Sequence, residues 1–546
     1  MRNIKTILSI IFTIYLISCS TNENDNLSPP FEGDVHLKSQ QEVNEFGSNN
    51  YSGINGNLTI GYQSGLRDIT NLNSLTNLTF IDGNLDINYN DDLTSLNGLN
   101  NIESINGFLH IGDNDSLENL NGLSNLNSVK SIQIAFNYSL NQIDGLQNIS
   151  NLDEGLSIFR CDNLTNIDGI SNLTEVGETL YLSNIPIENI DAFLNLTTAN
   201  NILIKSCNSL TNLNGFSSLT NLIGNLEIGE DWGAGWFGND SLISIQGLSN
   251  LTQISGDLKI VGNSVLENLM GLNNITTVNG DFLLKANNGI SDLEGLNNLS
   301  EVLGGFNISN NQSMVSFNSL SSIETIGGLS IYNNDNLINI NNLDTAININ
   351  SLSIQYNDNL ISIDNAFENL LTLGNLYISS SEVSSVNSFN NINTINQIRF
   401  DDNDNLISIN GFNSLQNITE HIVILGCDNL TTINGFNNLY EIKNIYISKF
   451  SGVSGDNPML NNINCFNNLN SVTGEIVIDD TSIGNLNAFN NLNFVGGDLE
   501  FTYNSSLSDF CGLNSLFQNN GLTGEFYAGW NSFNPTQTDM ESGNCN

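Results

Sequence analysis

One short pattern returns along almost the whole chain every 22 to 24 residues, and that recurrence narrows the possible architectures to very few. Residues 84–107 read NLDINYNDDLTSLNGLNNIESING, and residues 108–131 read FLHIGDNDSLENLNGLSNLNSVKS. The central apolar residue of an L-x-I triplet recurs nineteen times, from Ile60, Ile87 and Ile111 through Ile228 and Ile447 to Phe501. A unit this short cannot bury its own apolar face, so consecutive units must stack. The triplet alternates apolar and polar positions, as a strand with one buried face requires. Three residues past the central Ile stands an Asn, at 90, 114, 137, 263, 287, 311, 334, 357, 403 and 504. A buried Asn can bond the amides of a tight turn and meet its counterpart in the next turn. Apolar residues such as Leu93, Leu96, Leu99, Ile102 and Ile105 fill the other sides, and Gly98 and Gly107 mark bends. The expectation is a β-rich right-handed solenoid of about nineteen turns, occupying residues 57–510 without a domain break.

An open solenoid exposes apolar surface at both ends and needs caps. Residues 34–56 are expected to form the first, with a strand at Asp34–Lys38 and a short helix through Phe46 opened by a capping box, Ser39-Gln40-Gln41-Glu42. Residues 511–546, where the repeat dissolves, form the second.

The full motif, L-x-I-x-x-N-x-x-L-x-x-L-x-G-L-x-N-L-x-x-I-x-G, resembles the leucine-rich repeat and, more closely, the receptor L domain. That resemblance implies a ligand-binding β-helical module. The array here is far longer than in the receptors and nearly free of cysteine, so receptor signalling does not carry over, and fold alone does not name a ligand.

The N-terminus bears on location. Arg2 and Lys5 precede an apolar run, Ile7–Ile17, long enough for a signal-peptide core and too short to span a bilayer. It ends in Leu16-Ile17-Ser18-Cys19, which resembles the bacterial lipobox. The resemblance implies a signal peptide over 1–18, a lipidated Cys19 and a tether over 19–33 containing Pro29-Pro30. The expected location is the outer membrane, lipid-anchored and facing the cell exterior. With 12 Lys+Arg against 57 Asp+Glu, the net charge of −45 makes nucleic acid a poor partner.

The other cysteines divide by position. Cys161, Cys207 and Cys427 occupy the Asn position of their turns and are expected to be buried and reduced. Cys465 replaces a turn Gly. Cys511 and Cys545 bracket the tail and are expected to pair, because exported proteins keep disulfides. No nucleophile motif, metal-spaced cluster or phosphate loop stands out, so no enzyme chemistry, cofactor or metal is expected. The column Asp91, Asp115, Asp162, Asp335, Asp358, Asp404 and Asp428 reads as ordinary turn aspartate rather than a calcium ladder.

Two departures from the repeat suggest a binding surface for a protein or glycan. The eighth turn carries an insertion with Trp232, Trp236 and Phe237, and the seventeenth is extended through Phe450–Pro458, in the same slot just after the strand. These are either presented surfaces or loop expansions that fold back on the array. Separately, six of the ten Lys and Arg beyond Cys19 fall on or just after the triplet strand: Arg160, Lys205, Lys259, Lys285, Arg399 and Lys449. Tyr181, Tyr332, Tyr356, Tyr377 and Tyr446 share those positions. This is either a ligand face or the ordinary preference of strands for Tyr and Lys. The reading is an adhesion or capture lipoprotein, with a ligand-free spacer as the alternative and a polymer hydrolase as a distant one.

Overall fold

The computed structural model describes residues 27–64, 66–233, 235–450 and 453–546. Cys19 and the expected signal segment lie outside them. Each L-x-I triplet is a strand paired in parallel with its equivalents in the turns before and after. Leu85, Asp86 and Ile87 align with Leu109, His110 and Ile111, which align with Ile132, Gln133 and Ile134. The result is one parallel β-solenoid, and the nineteen central apolar residues are all buried. Two further rungs extend it. Val35–Leu37 pairs with Leu58–Ile60 at the start, and Phe526–Gly529, in a tail with no legible repeat, pairs with Leu499–Thr502 at the end. Twenty-one rungs, about 4.8 Å apart, make a contour of roughly 96 Å. One apolar core runs unbroken from Val35 to Cys545.

The interior explains the composition. In the runs 90–137 and 239–357 the ladder asparagines are fully buried, and each backbone N–H donates to the side-chain oxygen of the next. The Asn114 Oδ1 accepts from the backbone N–H of Asn90 at 3.2 Å and from its Nδ2 at 2.9 Å, while Asn114 Nδ2 donates to the Ile87 carbonyl at 2.8 Å. The ladder also takes in Asn239 and Asn457, which the insertions displace from their expected spacing, and Asn531 in the tail. Cysteine substitutes for Asn in kind. The Cys427 thiol receives the Asn403 N–H and donates to the Leu425 carbonyl at 3.4 Å. A second file of Asx side chains, Asn57, Asn84, Asn201, Asn225, Asp257 and Asp281, accepts the N–H at the strand entry of the following turn. A third, exposed file, including Asn125, Asn148 and Asn172, donates to carbonyls one turn back. In a stack where every turn presents the same unpaired backbone groups, a short side chain with both donor and acceptor is the economical answer.

Glycine is imposed by proximity between turns. A Cβ at Gly98, where φ is +111°, would stand 1.9 Å from the Leu72 carbonyl oxygen. Gly107 is needed for close approach rather than for a bend, since its Cβ would meet the Asn84 Oδ1 at 2.0 Å. In the C-terminal half the rear wall is a file of buried Phe rings, 367, 389, 412, 436, 466 and 489, each nearly parallel to the next at 4.9–6.2 Å.

The ends differ from the expected boundaries. Phe31–Glu32, assigned to the tether, pairs with Ile54–Asn55, and Phe31 packs on Phe46 and Tyr51. Ser39 caps the helix Gln40–Gly47 by accepting from the Glu42 N–H, but the Glu42 carboxylate takes the N–H of Lys38 rather than that of Ser39. At the other end Cys511 and Cys545 are joined, their Cα atoms 4.9 Å apart.

Candidate ligand-binding pocket

Behind every strand the chain must turn from the sheet to the ladder residue within two positions. In most turns it does so through a left-handed residue two past the central apolar one, and after Ile60 and Ile228 through Gly61 and Gly229, one past it. Asp113, Asn184, Asn310, Asn333 and Gly262 take that conformation at little cost. Six bulky residues adopt it as well: Tyr89, Phe136, Arg160, Tyr356, Tyr503 and Trp530, with φ between +53° and +60°. Left-handed non-Gly residues of this size cost on the order of 1 kcal/mol or more each. All six are aromatic or Arg, so strain accumulates where rings and a guanidinium are set along one edge.

The first insertion is a β-hairpin. Glu230–Asp231 pairs antiparallel with Trp236–Phe237, and the chain then returns to the ladder at Asn239. Two ion pairs hold it down across the strand face. Glu230 takes Lys205 from the preceding rung, and Asp231 takes Lys285 from two rungs beyond, at 2.6 Å. The Lys285 ammonium holds the Asp231 carboxyl below the usual carboxylate range. Each lysine also sits beneath a tryptophan, Lys205 under Trp232 and Lys285 under Trp236, both at 6.0 Å. The Gly-flanked segment is therefore tied to the sheet at two points, while Trp232, Trp236 and Phe237 stay 70, 47 and 46% exposed.

Between this hairpin and the rungs before it lies a pocket of about 330 Å³. Its walls are Phe159, Tyr181, Trp232 and Phe237, its rim Asn184, Ser206 and Glu230, and Arg160 and Lys205 complete it. The rings are in file: Phe136 meets Phe159 edge-on at 5.5 Å, Phe159 meets Tyr181 at 5.7 Å, and Lys205 bridges Tyr181 to Trp232. Five residues singled out from sequence thus converge: Arg160, Tyr181, Lys205, Trp232 and Phe237. Phe159 and the rim asparagine carried no signal, because nothing distinguishes them from their repeat equivalents.

Apart from Arg160, the cations of the strand face all have carboxylate partners. Lys259 bonds Glu227 at 3.1 Å; burial pulls its ammonium down, but Glu227 and Asp257 outweigh it and its pKa stands above the ordinary value. Arg399 pairs with Asp401 at 2.6 Å, stacked between Tyr377 and Phe450, and Lys449 reaches Glu500 at 2.7 Å. Spacing exposed the lysines but not the carboxylates one or two turns away that pair with Lys205, Lys259, Lys285 and Lys449, whereas the Arg399 partner, Asp401, lies two residues along the same strand. Arg160 differs. Among the described residues its guanidinium forms no ion pair and no side-chain hydrogen bond, and it rests on the Phe136 ring at 5.6 Å.

Nor do all the tyrosines form one surface. Tyr332 and Tyr356 are exposed and meet edge-on at 5.3 Å, well along the solenoid from the pocket. Tyr446 is buried, its hydroxyl donating to Glu475 at 2.5 Å. It belongs to an apolar patch of Val423, Leu425 and Val477, against which Phe450 of the second hairpin, Lys449–Phe450 with Val453–Ser454, is packed. The two insertions share a slot and diverge: the second folds its ring back, and the first presents its rings. The column aspartates are surface turn residues, and among the described residues no three His, Cys, Asp or Glu converge as a metal site.

With this geometry in hand, comparisons place the fold. The model of the Receptor L domain matches residues 79–153. No curated protein matches. Among solved structures, a TLR13–ssRNA13 complex is similar at 15% identity, covering 87% of this chain and 88% of that one, with a TM-score of 0.22. The functional domain of InlJ from Listeria monocytogenes, which includes a cysteine ladder, shares 15% identity over 65% of this chain and 72% of its own, with a TM-score of 0.25. A leucine-rich repeat protein from Bacteroides ovatus shares 14% over 72% and 91%, with a TM-score of 0.15. The segment 79–153 is similar to the Receptor L domain, and the same parallel rung repeats on both sides of it through the solenoid.

Proposed function

From this receptor-L-type solenoid we propose a binding protein, anchored through Cys19 to the outer membrane and facing outward, that captures a protein or glycan in the pocket beneath the first hairpin. One observation carries the reading: three large aromatics are held in water by a hairpin that two ion pairs and two cation–π contacts keep from collapsing onto the sheet. A loop without a ligand would gain by burying those rings, as Phe450 does in the other insertion. Exposed Trp set over a shaped pocket is the composition of a binding hot spot. The interior of the solenoid is filled, so recognition falls to its surface, and the strained corner residues direct rings and a guanidinium along one edge.

The test is a glycan and protein array probed with the chain lacking residues 1–19, followed by Trp232→Ala with Phe237→Ala. Binding is expected to weaken by at least about 2 kcal/mol, the size of a hot-spot truncation, with the melting temperature nearly unchanged. Equal binding by the double variant would leave a spacer as the better account, and a large loss of stability would show that the rings serve packing. For anchoring, Cys19→Ala is expected to release the protein from membranes or block its processing. Processed Cys19→Ala protein that still fractionates with the outer membrane would remove the anchor.

A further inference from the structure

The ligand class follows from three features of the pocket. Its walls are aromatic rings in file, its volume of about 330 Å³ is at the small-molecule end of the range for binding sites, and Lys205 is already matched by Glu230. The uncompensated charge is therefore that of Arg160. Arg160 rests on the Phe136 ring but has no ionic or hydrogen-bonding partner for its guanidinium among the described residues. Its left-handed φ of +54° is one that Asn184, Asn310 and Asn333 adopt at the same place in other turns, with less strain. A strained, unpaired guanidinium on a protein of net charge −45 points to a bound anion rather than to the fold.

We propose that the pocket binds an acidic pyranose, a sugar ring bearing a carboxylate, with Arg160 taking the carboxylate and the aromatic walls taking the ring. This deepens the capture reading and rests on it. A pyranose has apolar C–H faces and a polar rim. The faces match Tyr181 and Trp232, which flank Lys205 at 5.5 and 6.0 Å, and the rim hydroxyls match Asn184 and Ser206. A short acidic side chain of a peptide would satisfy Arg160 and leave the rings uncovered. A guanidinium receives a carboxylate through two parallel N–H donors, which sets the ring's orientation as well as its affinity. The ring file runs across consecutive rungs, so an oligosaccharide would lie along the solenoid axis with successive residues toward Phe159 and Phe136.

The experiment is calorimetric titration of the protein with a galacturonic acid trimer, its methyl ester and a galactose trimer. The acid should bind at least tenfold more tightly than its ester. Arg160→Asn should remove that difference while leaving the melting temperature equal or higher, because the strained residue is relieved. A residue needed only for packing would lower it. Trp232→Ala should weaken acid and ester alike. Equal binding of acid and ester, or an Arg160→Asn variant that keeps the preference, would overturn the assignment. If no sugar binds but an array protein does, in a manner lost with Trp232→Ala and Phe237→Ala, the capture reading stands and the sugar is wrong. If neither binds, both fail.

Discussion

Asn287→Ala tests what holds the turns together. The Asn287 Oδ1 accepts from the Asn263 N–H at 3.1 Å and from its Nδ2 at 3.3 Å, and Asn287 Nδ2 donates to the carbonyls of Ile260 at 2.7 Å and Lys285 at 3.0 Å. Both side chains are fully buried, so water cannot replace what is lost. Deleting the amide leaves a buried N–H on Asn263 without its acceptor, at about 1–3 kcal/mol, and removes two donated bonds of about 1 kcal/mol each. The expected destabilisation is about 3–5 kcal/mol. Asn298→Ala, which removes one exposed bond to the Asn273 carbonyl, should cost about 1 kcal/mol or less. Asn287→Cys should fall between them, because Cys161, Cys207 and Cys427 supply a weak acceptor and donor in that column. Denaturant unfolding measures the totals, and native-state hydrogen exchange at Asn263 locates them, since turns in a stacked array couple mainly to their neighbours. An Asn287→Ala variant no less stable than Asn298→Ala would refute the ladder as the chief polar restraint.

Two further outcomes are expected. Burial raises the thiols of Cys161 to about 11 and of Cys207 and Cys427 to about 12, so alkylation at pH 8 should reach them only on unfolding, while reduction of Cys511–Cys545 should loosen the C-terminal cap by about 3–4 kcal/mol; mass mapping that finds ladder cysteines modified in the native protein would contradict this. The Asp231 carboxyl is depressed by the Lys285 hydrogen bond, so its tie is fully present above the ordinary Asp value of about 3.9 and is lost as pH falls through the depressed one. Tryptophan fluorescence should then report hairpin release in acid, and a Lys285→Gln variant that keeps the same transition would exclude Asp231 as its cause.

Some of this molecule was written locally in the chain. The repeat of L-x-I, Asn and G-L fixes rung, ladder and close approach within each unit of about 23 residues, because each turn answers the same backbone needs as its neighbours. That is why the burial of nineteen central residues and the inward place of Cys161, Cys207 and Cys427 were legible. The final rung at Phe526–Gly529 was not, since it lacks the motif and is a strand by virtue of the edge it completes. Charge pairing was hidden for another reason: Lys285 and Asp231 are 54 residues apart in sequence and two rungs apart in space. The sequence marked Lys259, Lys285 and Lys449 as cations, and only the stack brought them Glu227, Asp231 and Glu500. It marked both insertions alike, and only the surface beneath decided between them. The apolar patch of Val423, Leu425 and Val477 draws Phe450 in, whereas Trp232 and Trp236 stand over lysines and remain in water. Periodicity dictates what each turn does for the next; which side chains of distant turns meet depends on the register of the whole stack.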